Sequence, residues 1–214
     1  RRALLAPTMA GLAMLCVAGI MSGGSAGAEE PMQTSAQGAL QTATFAGGCF
    51  WCMQGPFDAQ EGVVSTRVGY TGGTTERPTY EEVSAGATGH AEAIEVLYDP
   101  SKVTYERLLE IFWRNIEPTD SRGQIADHGS QYRTAIFYHT DEQRALAEAS
   151  KAALAASGTF AKPIVTQIVP ASPLYPAEDY HQEYYKKNAQ QYQSYTEGSG
   201  RGRFLRDIWG THER

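Results

Sequence analysis

A pair of cysteines three residues apart constrains the fold of this 214-residue chain more than any other feature. Cys49 and Cys52 flank Phe50-Trp51, directly after Gly47-Gly48 and a strand-like run from Thr42 to Ala46. Two cysteines inside one four-residue window cannot staple distant parts of a chain, so a disulfide framework is excluded and an apolar core must hold the fold. The third cysteine, Cys16, lies in an N-terminal segment of different character. Locally the pattern reads strand, glycine turn and helix start, with the helix expected to run to Pro56. A cysteine at a helix start meets the positive end of the helix dipole and free N–H groups, which stabilise a thiolate. The pair therefore points to local chemistry.

Residues 1–28 carry Arg1 and Arg2, no acidic group, and an apolar and glycine-rich run from Met9 to Met21, followed by Ala26-Gly27-Ala28. This is the composition of a signal peptide, and it predicts export, with the periplasm as the expected destination. A run of 13 residues is shorter than the ~20 a spanning helix needs, which disfavours the alternative of an uncleaved anchor. Arg1-Arg2 would also fit the end of a twin-arginine signal, whereas Leu15 before Cys16 disfavours lipidation. Residues 29–41 are polar and read as a flexible leader, and residues 42–214 read as a single catalytic domain. Without the first 28 residues the chain holds 16 basic and 24 acidic groups, a net −8. Such a charge excludes a nucleic-acid partner.

Within the domain, Val63 to Tyr70, His90 to Tyr98, Tyr132 to Tyr138 and Ile164 to Val169 read as strands, with a long polar loop between the first two. Tyr105, Leu108, Leu109, Phe112 and Ile116 keep the one-face spacing of an amphipathic helix. Thr140-Asp141-Glu142-Gln143 has the capping-box pattern and opens an alanine-rich helix ending at Gly158. The tail from Ala177 to Gly210 reads as a Tyr-rich helix and a Gly-rich loop at 198–202. Short strands joined by long loops predict an α+β sandwich rather than a doubly wound sheet.

Three segments carry candidate chemistry. Cys49 and Cys52 form the first. In the second, Gly89-His90-Ala91-Glu92-Ala93-Ile94-Glu95-Val96, strand alternation places Glu92 on one face with His90, Ile94, Val96 and Tyr98. A carboxyl on such a face has its pKa raised by desolvation and can serve as a general acid. The third is the polar turn Asp127-His128-Gly129-Ser130-Gln131-Tyr132-Arg133. The five histidines show no paired ligand spacing, and one Cys pair is half a zinc site, so no metal is expected. Gly198-Ser199-Gly200-Arg201-Gly202 lacks the lysine and preceding strand of a phosphate loop.

Together, GGCFWC (47–52), VGYTGG (68–73), PTYEEV (78–83), TGHAEAIEVLYDP (88–100), GSQYRTAIF (129–137) and YPAEDYHQEYYKKN (175–188) resemble the peptide methionine sulfoxide reductase A family. The resemblance runs from about residue 42 to 210. It implies a ferredoxin-like two-layer α+β sandwich with a mixed sheet and thiol-dependent reduction of methionine-S-sulfoxide, free or in oxidised proteins; separately, a monomer without a cofactor is expected. It also implies roles: Cys49 as nucleophile, Glu92 as acid, Phe50 and Trp51 as the pocket for the substrate methyl group, Tyr80 and Tyr132 as donors near the sulfoxide oxygen, and Asp127 as a carboxylate that orients the substrate or the residues around it. A thioredoxin-like reductant is the implied electron donor.

The chain departs from that pattern in two places. Many members carry a recycling cysteine in the C-terminal Gly-rich tail, where this chain reads Gly198-Ser199-Gly200-Arg201, so either Cys52, the candidate resolving thiol, closes the cycle or a thiol from outside does. Gln54 stands where the motif usually has glutamate, which leaves a carboxylate role there in doubt. Read from Cys49-Phe50-Trp51-Cys52 alone, a thioredoxin-like thiol-disulfide oxidoreductase is the alternative.

Overall fold

The computed structural model describes residues 39–210. The expected signal peptide (1–28) and all but the last residues of the expected leader (29–41) lie outside the described residues. The chain order is β1 (Gln41–Gly47), α1 (Phe50–Asp58), β2 (Val63–Thr71), α2 (Tyr80–Ser84), β3 (Ala91–Tyr98), α3 (Tyr105–Arg114), β4 (Gly123–Gln124) and β5 (Asp127–His128). It continues with a 3-10 turn (Ser130–Tyr132), β6 (Thr134–Tyr138), α4 (Asp141–Ala156), β7 (Gln167–Pro170), β8 (Tyr175–Pro176), α5 (Tyr184–Lys187), α6 (Ala189–Gly198) and α7 (Arg201–Trp209).

The main sheet has the order β7-β6-β1-β3-β2-β8. Its four central strands pair antiparallel with one another, and with α1 and α3 they give the β-α-β-β-α-β succession of a ferredoxin-like sandwich, which α4 follows. The parallel pairing of β7 with β6 makes the sheet mixed, as expected. One sheet face carries Phe45, Val68, Tyr70, Ile94, Val96 and Ile136 against Phe50, Met53 and Phe57 of α1 and Leu108, Leu109 and Phe112 of α3. The opposite face is built of Ala46, Ala91, Ala93, Ala135 and Phe137, small enough for Val169, Ala171 and Leu174 to lie over it.

Local departures from the sequence reading have local causes. Helix α1 continues through Pro56 to Asp58, because proline's fixed φ is helical and only one N–H is lost. Phe57, fully buried and stacked on Phe45 at 5.3 Å, holds that last turn in the core. The polar loop after β2 contains α2, closed by a full capping box in which Thr79 and Glu82 satisfy each other's backbone N–H groups. Strand β6 starts at Thr134, since the Tyr132 N–H turns back to the Gly129 carbonyl at 3.0 Å. Strand β7 starts at Gln167 rather than Ile164, because the Val165 N–H leaves the sheet for the Pro118 carbonyl. Strand β8 follows it and pairs with β2. In the tail three helices replace one, and the expected Gly-rich loop narrows to Ser199-Gly200, where Gly200 at φ +73° separates α6 from α7.

Candidate active site

The site is built where β1 gives way to α1. Gly48 turns the chain at φ +82°, and a Cβ there would lie 2.4 Å from Gln124 Cγ, so both the angle and the space require glycine. Cys49 is the N-cap of α1, and its carbonyl accepts the Cys52 N–H at 3.0 Å. No side chain of the helix itself caps the first turn. Glu92 does so from the neighbouring strand, its Oε2 accepting the Phe50 N–H at 3.0 Å. The nucleophile turn and the carboxyl are thus fixed to each other by one buried bond.

Glu92 is 3% exposed, in the row of Ile94, Val96 and Tyr98 that alternation assigns to it. Burial pushes its pKa up to about 8; the Phe50 N–H opposes this, while the charges of Asp127 and Cys52 reinforce it. The carboxyl is therefore neutral at pH 7 and able to give a proton.

The two cysteines are free and buried. Their sulfurs form one hydrogen-bonded pair, which raises the Cys49 pKa and lowers that of Cys52. Burial and the Glu92 charge raise Cys49 further, while the Arg201 guanidinium helps lower Cys52. The expectation that the helix start alone would depress Cys49 is corrected: Cys52, burial and Glu92 together push its pKa up.

All eight residues singled out from the sequence converge here. Tyr80 and Tyr132 both lie within the fields of Glu92, Cys49 and Asp127, and burial raises the pKa of each, so both hydroxyls remain donors. Tyr80 is placed by Glu178, whose Oε1 accepts the Tyr80 N–H and whose Oε2 accepts the hydroxyl of Tyr70, the cross-strand neighbour of Glu92. Asp127 accepts a hydrogen bond from the Tyr195 hydroxyl. Trp51 stacks on Tyr184 at 3.8 Å and donates its indole N–H to His181 Nδ1 at 2.9 Å. Phe50 packs against His181 and Tyr70.

Sequence reasoning missed His181, Tyr184, Tyr195, Glu178 and Arg201 as parts of this site. His181, one of five histidines without metal-ligand spacing, is a neutral ring: its Nδ1 accepts from Trp51, and burial lowers its pKa. The signal was the quoted run of residues 175–188, whose aromatics converge on Trp51. Gln54 also has a clear place. Its Oε1 accepts the N–H of Glu183, whose backbone is left-handed at φ +53°, and its Nε2 donates to Thr66 Oγ1. Gln54 thus braces the turn that delivers Tyr184 to Trp51.

A thiol pair, a neutral buried acid, two tyrosine donors and an aromatic wall can together reduce a small polar S=O group carried beside a methyl. The family model for peptide methionine sulfoxide reductase matches residues 41–213. A peptide methionine sulfoxide reductase MsrA from Bacillus subtilis is 58% identical over 170 residues, covering 79% of this chain and 96% of that relative. Its counterpart from Listeria innocua is 54% identical, covering 79% and 96%. Among solved structures, methionine sulfoxide reductase A of Corynebacterium diphtheriae matches with a TM-score of 0.63 and 37% identity, covering 72% of this chain and 77% of that one. Reduced Mxr1 from Saccharomyces cerevisiae matches with a TM-score of 0.67 and 32% identity, covering 71% and 87%. Extending over nearly the whole described domain, these matches show that the chain belongs to the peptide methionine sulfoxide reductase family.

Proposed function

We propose that this chain reduces methionine-S-sulfoxide, free or within oxidised proteins, to methionine. The observation that carries the reading is Glu92, a carboxyl neutral to about pH 8 and bonded to the turn that presents Cys49. A sulfoxide sulfur becomes electrophilic as its oxygen is protonated, and Glu92 supplies that proton while Tyr80 and Tyr132 donate to the same oxygen. Trp51 and Phe50 receive the methyl group, and Asp127, held by Tyr195, orients the substrate.

Cys49 attacks the sulfur and its own proton passes to the Cys52 thiolate. The oxygen ends on Cys49 as a sulfenic acid, so the substrate sulfur gains two electrons and the Cys49 sulfur loses two. Cys52 then attacks Cys49 and gives up the proton it had taken: the S–S bond forms, the S–O bond breaks, and that proton joins the departing hydroxide, which leaves as water. A dithiol reductant of the thioredoxin kind returns the disulfide to two thiols. The alternative reading of the chain as itself a thioredoxin-like oxidoreductase lacks support in the antiparallel β6-β1-β3-β2 core and leaves the buried acid without a use. Residues 1–28 support the further proposal that the enzyme acts after export to the periplasm on oxidised exported proteins, and we assign it as a monomer.

The test is single-turnover reduction of a methionine-S-sulfoxide peptide by wild type, Cys49→Ser and Cys52→Ser. Wild type is expected to release one methionine and form a Cys49–Cys52 disulfide. Cys49→Ser releases none, and Cys52→Ser releases one while its sulfenic acid accumulates and is trapped by dimedone. Turnover by Cys49→Ser, or equal rates on the R epimer, overturns the reading.

A further inference from the structure

Arg201 is the first residue of α7, far along the chain from the site, yet it is 4% exposed and its guanidinium reaches into the nucleophile turn. Nη2 donates to the Gly47 carbonyl at 3.1 Å, to the Asn115 carbonyl, and to Met53 Sδ at 3.4 Å. A Cβ built on Gly48 would lie 3.6 Å from Nη1, which places the second arm of the guanidinium beside the residue before Cys49. All three acceptors are uncharged. Among the described residues no carboxylate lies within ion-pair distance of Arg201, whereas the other described ion pairs of arginine lie on the surface. A buried cation without an anionic partner is costly unless an anion forms nearby at some stage.

We infer that Arg201 is the positioning residue for the resolving step, its guanidinium held by the Gly47 and Asn115 carbonyls so that it stabilises the Cys52 thiolate as Cys52 attacks the Cys49 sulfenic acid. The inference rests on the proposed role of Cys52. The groups facing Cys52 are Cys49 on its own turn, Arg201 from α7, Asp127 from β5, Glu92 from β3 and Tyr195 from α6. Of these, Arg201 is the cation. In the reduced enzyme the Cys49 thiol shares in stabilising the Cys52 anion. Once Cys49 is a sulfenic acid that thiol is gone, while the guanidinium remains, because its anchors are backbone carbonyls that oxidation does not change. In the attack Cys52 gives up the proton it took from Cys49, its electron pair forms the S–S bond, the S–O bond breaks, and that proton joins the departing hydroxide, which leaves as water. Asp127 and a charged Glu92 oppose the same anion, so the thiolate depends on the cation opposite them.

The full-length enzyme is followed from pH 6 to 9 after one substrate turnover, with methionine release reporting the first step and mass-spectrometric formation of the Cys49–Cys52 disulfide reporting the second. In Arg201→Gln the pH midpoint of disulfide formation is expected to rise by about one unit, a roughly tenfold slower resolution below it. In Arg201→Lys, which keeps the charge, the midpoint stays at the wild-type value. An unchanged midpoint in Arg201→Gln, or an equal rise in Arg201→Lys, overturns the inference. If Arg201→Gln does not fold, Arg201→Met takes its place, with the same rise expected against an unchanged Arg201→Lys and the same results overturning the inference. Failure of the underlying reading is separately visible, because wild type would then form no Cys49–Cys52 bond at all.

Discussion

Replacing Glu92 by glutamine is expected to make the protein more stable and less active at once. In the folded protein Glu92 keeps its proton to about pH 8, whereas the unfolded chain releases it near 4.5. The folded state therefore binds the extra proton between those values, and its stability falls as pH rises through that window. Each pH unit costs about 1.4 kcal/mol, so the carboxyl withdraws up to about 5 kcal/mol by pH 8. Glutamine has the same shape, stays neutral, and can still accept the Phe50 N–H through Oε1. Urea denaturation of wild type and Glu92→Gln at pH 5, 7 and 9 isolates the effect, because every other titrating group is common to both. The two should nearly coincide at pH 5, separate progressively up to about pH 8 and keep that separation at pH 9, with the variant the more stable. Over the same range wild-type single-turnover methionine release should decline above about pH 8, and the variant's rate should be lower by a factor of 10²–10⁴, as for loss of a positioned acid. Parallel pH dependence of stability in the two proteins, or a variant as active as wild type, refutes the assignment of a buried neutral acid.

Three other perturbations follow from the geometry. Gly48→Ala adds a Cβ against Gln124 at a left-handed position, so a loss of about 1–3 kcal/mol is expected by calorimetry, with slower methionine release as the Cys49 turn shifts. His181→Phe keeps a ring against Phe50 and Tyr80 but leaves the Trp51 indole N–H without its acceptor. A loss of about 1–2 kcal/mol and a raised KM with kcat less affected are expected from denaturation and steady-state kinetics. In Gln54→Glu the Glu183 N–H keeps its acceptor, but Thr66, whose hydroxyl already donates to Asp58, would meet a carboxylate instead of a donor. The variant should lose about 1–2 kcal/mol at pH 7 and recover it as pH falls and the new carboxyl is protonated, a trend that denaturation at pH 4 and 7 reads directly.

What the sequence made legible is what depends on periodicity and on local turns. Strand alternation placed Glu92 in the buried row with Ile94, Val96 and Tyr98, and Gly47-Gly48 marked the turn that makes Cys49 an N-cap. The illegible part depends on contacts across long separations. His181 meets Trp51 across 130 positions, and Arg201 meets Gly47 across 154. Nothing in the run around either residue states what it touches. The Gly-rich stretch was misread for the same reason: its one structural break is Gly200, and what matters is the arginine that follows, because the break aims that side chain inward. The ionisation order of the thiols was likewise beyond a local argument. A helix start predicts a depressed Cys49, but the neighbouring Cys52, burial and Glu92 act together in the opposite direction.

The device that sets the acid is the core itself. Glu92 is neutral because it occupies a core position among residues that exclude water, one row along from Ile94, and not because a dedicated partner holds its proton. A glutamate in that row subtracts from stability at neutral pH, and the surrounding aromatics offset it: Phe45 stacked between Phe57 and Phe112, and Tyr70 packed on Phe50. Substitutions that loosen this packing should therefore act on catalysis before they act on folding. Water admitted beside Glu92 lowers its pKa toward 4.5, so at pH 7 the acid loses its proton while the sheet still holds. Phe45→Leu tests the order of events: its methionine-release profile should lose its neutral-pH plateau and shift to lower pH under conditions where circular dichroism still reports a folded protein. An unshifted profile in a measurably loosened core would separate the acid's pKa from the packing and assign it to the local charges of Asp127 and Cys52 instead.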